Sequence, residues 1–193
     1  DVTFTGESGV REHVWATSWG VSTRLVGAVI MTHSDDDGLV LPPKVAPIHV
    51  VIVPIFRKDD ERDAVFEAAD RIAGELRSDG LTVEVDKREG MKPGAKYLDW
   101  ERKGVPMRLE LGPRDLEGKA VMCKMRIAEL DERGRGKKEL LSWDTLGVEV
   151  GKRLDDFQDF LLQRALTFRK ENEVEVDTWE DFETIFADGQ SKF

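Results

Sequence analysis

The sequence predicts an α/β fold in which helices flank a mixed five-stranded sheet, over about residues 46–171. The run His49–Ile55 is almost continuously apolar, which is typical of a strand buried on both faces beneath helices. The segments that follow alternate between the apolar spacing of helices and that of strands. With 193 residues, the chain is long enough to bury a core of this kind.

The first 45 residues predict a smaller unit that precedes this sheet. A hairpin is predicted within residues 1–15, and residues 16–43 predict a strand, a turn of small residues, a short apolar helix and an acidic loop. Gly20 and Ser22 leave the backbone of the turn bare, so that a flat ligand can approach it closely. Arg24 lies in the same turn, and its planar guanidinium can stack on a base or bind a phosphate.

The elements of the larger unit follow the order β-α-β-α-β-β-β-α. The predicted strands are His49–Ile55, Leu81–Val85, Val105–Leu111, Lys119–Ile127 and Leu140–Trp143. The predicted helices are Asp59–Ser78, Pro93–Lys103 and Thr145–Glu171, followed by a short helix at Asp177–Ala187. Gly80 and Gly104 end the first two of these helices.

Composition excludes several classes of protein. A single cysteine, Cys123, cannot form an internal disulfide and indicates a reducing compartment, so a cytoplasmic protein is expected. No apolar run reaches the length of a membrane span, and no membrane partner is predicted. The three histidines share no ligand spacing, so no metal site is predicted. The net charge of −10 gives no general support for a nucleic-acid partner, although a local basic patch remains compatible with it.

Most charged clusters are expected to be ordinary surface. The acidic loop Asp35–Asp37 and the helical carboxylates Asp155, Asp156 and Asp159 are interpreted as solvated, and Cys123 as a small buried side chain. The sequence contains no nucleophile turn, no phosphate loop and no dinucleotide fingerprint. Enzyme chemistry carried by those motifs is therefore not predicted.

Two stretches combine residue types that suit ligand binding, Trp19–Arg24 and Trp100–Asp115. The first can also be a tight turn with a packed tryptophan, and the second an ordinary helix-to-strand joint. Glu101 at the helix end and Arg108 on the next strand can converge on one edge of the sheet. A carboxylate that accepts and a guanidinium that donates together match the edges of an exposed guanine.

These stretches carry a family resemblance. Ala16–Ala28, with the string TSWG…STR, resembles the third signature motif of class II aminoacyl-tRNA synthetases, in the form used by prolyl-tRNA synthetases of archaeal and eukaryotic type. Residues 38–55 and 93–116, with the string WE-KGVP-R-E-GPRDLE, continue the resemblance into that family's anticodon-binding domain. It implies that residues 1–45 are the last strands and helix of an antiparallel class II catalytic domain, 46–171 the anticodon-binding domain and 172–193 the start of a C-terminal extension.

The resemblance also implies roles for individual residues. Arg24 matches the catalytic arginine that stacks on the adenine of ATP, and Ser22 lies at the floor of the nucleotide site. Trp19 and Gly20, with Ser22, match the pocket for proline. Glu101 and Arg108 match the positions that read the two guanines of the proline anticodon. The reaction that the resemblance implies is ATP-dependent attachment of L-proline to tRNA(Pro) through prolyl-adenylate. The implied partners are therefore tRNA(Pro), L-proline and ATP, with Mg²⁺ bound alongside ATP. The intact enzyme is expected to be a homodimer.

The sequence departs from the family in three respects. Thr23 stands where the general class II pattern has glutamate, which fits the prolyl type. Residues 125–130 replace an Arg-Arg-Asp-Thr-Gly-Glu-Lys string, so the anticodon contacts of that string are not carried over. The first two class II motifs and the cysteine-bearing C-terminal domain have no counterpart, so we expect a fragment that does not activate proline alone. A catalytically inactive tRNA-binding paralogue and an α/β interaction domain that does not bind RNA remain alternatives.

Overall fold

The computed structural model describes residues 2–132, 134 and 136–187, and within them the chain forms a two-stranded hairpin and a five-stranded sheet. The strands are Thr3–Thr5 (β1), Arg11–His13 (β2), Val50–Pro54 (β3), Val83–Val85 (β4), Met107–Leu111 (β5), Ala120–Met125 (β6) and Glu139–Ser142 (β7). The α-helices are Arg24–His33 (α1), Asp59–Ser78 (α2), Pro93–Arg102 (α3), Pro113–Glu117 (α4), Leu146–Asn172 (α5) and Trp179–Phe186 (α6).

The larger sheet has the strand order β4-β3-β5-β6-β7. Strand β3 pairs in parallel with both β4 and β5, whereas β6 and β7 join antiparallel, so the predicted mixed five-stranded sheet is confirmed. Every residue of β3 is buried, as its apolar run predicts. The parallel strands need crossover helices, which α2 and α3 supply.

Alternation along the central strands divides the core between the two faces of the sheet. Val50 and Ile52 of β3 face a cluster with buried residues of α2 and α5, while Val51 and Val53 face a cluster with Trp100 of α3. Strand β5 follows the same rule, because its residues 107, 109 and 111 belong to the first cluster. Its two intervening residues are therefore directed to the α3 side of the sheet.

The segment after α1 is fixed against the end of α3. The amide of Leu39 donates to the carbonyl of Arg102 at 3.0 Å, and that of Leu41 to the carbonyl of Gly104 at 3.4 Å. Gly104 has φ +73°, and an added Cβ would lie 2.8 Å from the carbonyl oxygen of Leu39. A glycine is required here both for the left-handed turn that ends α3 and for this close approach.

The structure differs from the sequence predictions mainly outside the sheet. The hairpin of β1 and β2 is confirmed, but the predicted strand before Arg24 is wrong, because residues 14–22 contain neither strand nor helix. Helix α4 was not predicted; the carboxylate of Asp115 accepts from the amide of Gly112 at 2.7 Å at its start. Along residues 2–132, 134 and 136–187, no helix combines the length and the apolar character needed to cross a membrane.

Candidate nucleic-acid interface

The two residues that the sequence singled out for base recognition are in contact. Arg108 lies on β5 and is directed to the α3 side, where Glu101 occupies the last turn of α3. The Nη1 of Arg108 donates to Oε1 of Glu101 at 2.8 Å. The predicted convergence of this carboxylate and this guanidinium is confirmed as geometry, since the turn at Gly104 folds the strand back beside the helix.

Arg108 is held on three sides. Its Nε and Nη2 donate to Oε1 of Glu110 at 3.2 and 3.0 Å, and its guanidinium carbon lies 3.9 Å from the ring centroid of Tyr97. Only 7% of its side chain is exposed. A buried cation needs such compensation, which here comes from two carboxylates and the face of an aromatic ring.

Glu101 is an ionised acceptor, and one of its two carboxylate oxygens has no donor among the described residues. Burial would raise the pKa of its carboxyl, but hydrogen bonds from Lys124 and Arg108 outweigh burial and hold the pKa below its ordinary value. Lys124 donates to the same oxygen, Oε1, at 2.7 Å. Oε2 receives no hydrogen bond from any residue that the structure describes. The side chain is 22% exposed, and Oε2 retains its acceptor positions.

Two lysines complete the cluster and were not identified from the sequence. Lys124 stands opposite Arg108 in the antiparallel register of β5 and β6. Lys138, just before β7, donates to Oε2 of Glu110 at 2.7 Å. The alternation of β6 places Lys124 on the same face as Arg108, and this was a signal that sequence reasoning could have used.

The cluster carries a local excess of one positive charge in a chain whose net charge is −10. Its five charged side chains are Glu101, Arg108, Glu110, Lys124 and Lys138. The space beside the pair Glu101 and Arg108 is only about 10 Å³, which is enough for one water molecule and far too small for a base. A base must therefore approach the outer rim, where Glu101, Lys124 and Lys138 are 22%, 21% and 39% exposed. This arrangement suits a flat ligand that offers both donors and acceptors.

The other predicted group is open to solvent. Trp19, Gly20, Ser22 and Arg24 are all exposed, and Trp19 retains 92% of its accessible surface. Arg24 begins α1, and its amide donates to Oγ of Ser22 at 3.4 Å. The alternative interpretation of this stretch, a tight turn with a packed tryptophan, is not observed. The four residues form no enclosed pocket, and their role as a binding site stays a prediction.

Arg126 lies in residues 125–130, the segment that stands in place of the family string, and it has a structural role. Its Nε donates to the carbonyls of Leu39 and Glu101 at 2.9 and 3.0 Å, and its Nη1 donates to Asp35 at 3.0 Å. Asp35 is thus ion-paired rather than merely solvated, and these bonds lower the pKa of its carboxyl against the opposing effect of burial. Arg126 therefore fixes the helix end that carries Glu101.

None of the remaining candidate groups forms a reactive centre among the described residues. Cys123 is buried, as predicted, and burial raises the pKa of its thiol to about 12. Over the described part of the chain, no three His, Cys, Asp or Glu side chains come together in a way that could hold a metal ion. The helical carboxylates Asp155, Asp156 and Asp159 are exposed, as predicted.

Comparison with known proteins gives concordant matches. Residues 49–153 match the family model described as "Anticodon binding domain". The chain is 46% identical over 189 residues to a proline–tRNA ligase of Porphyromonas gingivalis, and 43% identical over 190 residues to a chloroplastic/mitochondrial proline–tRNA ligase of Arabidopsis thaliana. These alignments cover 98% and 97% of the chain but 37% and 34% of the relatives, so the chain spans little more than a third of their length.

A solved structure agrees with the sequence matches. The crystal structure of prolyl-tRNA synthetase from Cryptosporidium parvum, complexed with L-proline and AMP, superposes with a TM-score of 0.81 at 37% identity. The match covers 94% of this chain and 36% of that one. The same fold is therefore found, over nearly all of this chain, as one part of a larger protein.

Proposed function

Because this chain belongs to the anticodon-binding-domain family, in the form carried by prolyl-tRNA synthetases, we propose that it reads the guanines of a proline anticodon. The observation that supports this most directly is the pairing of Glu101 and Arg108 at 2.8 Å on the rim of the sheet. Both residues belong to the string that carries the resemblance, and both come together in space.

The chemistry of guanine fits the pair. Guanine offers O6 and N7 as acceptors and N1–H and N2–H as donors, so its recognition needs a donor and an acceptor side by side. Glu101, through Oε2, supplies the acceptor at the rim. Arg108 supplies the donor from beneath it, which requires the narrow space beside the pair to open when the base binds. Lys124 and Lys138 stand at the exposed rim, where they can neutralise the phosphates of a single-stranded loop.

The ligase activity of the longer relatives extends this proposal. Within such an enzyme, Arg24 and Ser22 would contact ATP, and Trp19 and Gly20 would line the site for L-proline. The string TSWG…STR supports this assignment, and the exposure of all four residues leaves them accessible to ligands. Mg²⁺ would arrive with the phosphates of ATP, since the described residues offer no set of ligands for it. Homodimerisation and a cytoplasmic location stay predictions.

A second candidate is a tRNA-binding protein without ligase activity. It is favoured by the open state of Trp19, Ser22 and Arg24, which no surrounding residue of the described chain encloses. An upstream reading frame that encodes the first two class II motifs would separate the two candidates, because only a complete catalytic site supports ligase activity.

The test of anticodon reading is binding to proline tRNA and to a version whose two anticodon guanines are replaced, over a series of salt concentrations. We expect at least tenfold preference for the natural anticodon, which corresponds to about 1.4 kcal/mol. Glu101→Ala should abolish the preference, because it removes the acceptor for guanine. Glu84→Ala, which removes an equally charged but exposed side chain of β4, is the matched control and should retain it.

Equal binding of the two tRNAs would contradict the proposal. Equal affinity for both tRNAs, falling steeply with salt, would mean that only phosphates are bound. In that case the assignment of Glu101 and Arg108 as guanine readers would be wrong.

A further inference from the structure

Glu110 is a buried carboxylate whose two oxygens are both occupied. Its side chain is 8% exposed. Oε1 accepts from Nε and Nη2 of Arg108 at 3.2 and 3.0 Å, and Oε2 accepts from Nζ of Lys138 at 2.7 Å. Its partners therefore come from β5 itself and from the residue before β7.

Deeper burial and pairing of both oxygens separate Glu110 from Glu101. A base that approaches the rim meets Glu101, which is 22% exposed and has a free oxygen, before it can reach Glu110. Three of the roughly four acceptor positions of this carboxylate are used, and the one that remains is on Oε2, next to Lys138 in a side chain that is 8% exposed. Glu110 is thus unsuited to contact the base, and its position calls for another explanation.

The effect of Glu110 on Arg108 supplies that explanation. A guanidinium has five N–H donors, and Arg108 uses one on Nε and one on each terminal nitrogen for Glu110 and Glu101. One N–H therefore remains on each terminal nitrogen, and a bidentate contact with O6 and N7 of guanine needs two such donors, which become reachable when the space beside Arg108 opens to the base. If Arg108 lost its contact with Glu110, its guanidinium could turn and no longer present this pair.

We propose that Glu110 is a positioning residue for anticodon reading: it holds the guanidinium of Arg108 beneath Tyr97 in the orientation that donates to guanine. This inference rests on the proposed reading of guanine by Arg108. Tyr97 takes part from the other side, because its ring covers Arg108 at 3.9 Å. Burial, together with the charge of Glu110, raises the pKa of the Tyr97 hydroxyl, so this hydroxyl stays un-ionised near the carboxylate.

The test compares the wild-type chain with Glu110→Gln, which retains the shape of the side chain and removes its charge. We expect preference for the natural anticodon to fall from at least tenfold to below about threefold, while affinity for the guanine-replaced tRNA stays within twofold. Hydrogen exchange of the Arg108 Nε–H, followed by ¹⁵N NMR, should accelerate at least tenfold, because its charged acceptor is lost. Glu84→Gln, an exposed glutamate on β4, is the matched control for both measurements.

Each outcome decides the proposal. If the wild-type chain itself shows no preference, the proposed function fails whatever Glu110 does. If the wild type discriminates and a folded Glu110→Gln discriminates equally well, the positioning role is wrong. Should Glu110→Gln fail to fold, Glu110→Asp retains the charge but withdraws the carboxylate from Arg108 by one methylene; unchanged discrimination and unchanged Nε–H exchange in that variant would overturn the proposal, and a loss of both would support it.

Discussion

Asp86 provides the sharpest test of how this fold is stabilised. Its side chain is fully buried directly after β4. Its Oδ2 accepts from Nε1 of Trp100 at 2.7 Å and from Nη2 of Arg88 at 2.6 Å, and the ammonium of Lys96 lies 3.5 Å from Oδ1. Because the side chain of Lys96 is only 7% exposed, removing the carboxylate leaves a buried cation without its counterion.

The magnitude follows from that burial. Breaking a buried ion pair by removing one partner costs about 3–5 kcal/mol, so Asp86→Ala should lower the free energy of unfolding by this amount. Asp70→Ala is the matched control: Asp70 and Lys87 are also 2.6 Å apart, but they are 53% and 46% exposed. An exposed pair contributes about 0–1 kcal/mol, so the control should be close to wild type. The assay is urea unfolding at pH 7, followed by tryptophan fluorescence and circular dichroism.

A double-mutant cycle isolates the ion pair. Lys96→Met in the Asp86→Ala background removes the stranded charge, so the double variant should recover at least about 1 kcal/mol relative to Asp86→Ala. The reasoning would be refuted if Asp86→Ala cost no more than Asp70→Ala, or if Lys96→Met lowered stability equally in both backgrounds. Either result would show that burial does not govern this interaction.

The pH dependence gives the same prediction an internal check. Burial opposes ionisation of Asp86, but hydrogen bonds from Arg88 and Trp100 and the charge of Lys96 lower the pKa of this carboxyl well below its ordinary 3.8. A depressed pKa means stability that is fully present above the unfolded-state pKa and is lost as the pH falls below it. The difference in stability between wild type and Asp86→Asn should therefore be constant from about pH 5 to 8 and shrink below about pH 4.

Two further predictions concern the turn after α3 and the catalytic motif. Gly104→Ala should lower the free energy of unfolding by about 1–3 kcal/mol, because φ is +73° and the new Cβ would lie 2.8 Å from the carbonyl oxygen of Leu39. Gly74→Ala in α2, where no atom lies within 4 Å of the added Cβ, should leave urea stability unchanged or raise it by up to about 1 kcal/mol; equal losses in both variants would contradict this account. The purified chain, which contains only the third of the class II motifs, should not exchange pyrophosphate with proline and ATP; exchange at the rate of a full-length ligase would contradict this prediction.

Local patterns were sufficient to predict the sheet and its helices. The apolar run of β3 and the periodicity of α2, with Gly80 after it, act within a few residues, and the observed bounds of α2 are those predicted. The five-residue helix α4 was missed because it spans little more than one turn. The strand expected before Arg24 fails for a different reason. A strand needs a neighbour for its amides and carbonyls, and no described strand pairs with residues 14–22.

The candidate site shows the same division between local and distant causes. Glu101 and Arg108 could be brought together in prediction because only one turn, at Gly104, separates the end of α3 from β5. Alternation along β6 indicates the face on which Lys124 lies, but its register opposite Arg108 and the path of the chain that brings Lys138 to Glu110 are not specified by a local pattern. The sequence indicates no role for Glu110 beyond its place in the string WE-KGVP-R-E-GPRDLE. Its burial between these cations could be recognised only in three dimensions.

Helix α3 connects the two networks, and this makes the Asp86 variants informative about function as well. Its residues Lys96 and Trp100 bind Asp86, while the adjacent Tyr97 and Glu101 cover and pair with Arg108. The buried ion pair therefore fixes the rotation of the helix, and that rotation sets where the acceptor for guanine lies. In Asp86→Asn, Trp100 retains an acceptor and the protein should stay folded at pH 7, but the helix is held less tightly. Its preference for the natural anticodon should then fall more than that of Asp70→Ala; an unchanged preference would mean that Gly104 and Arg126 alone position the reading residues.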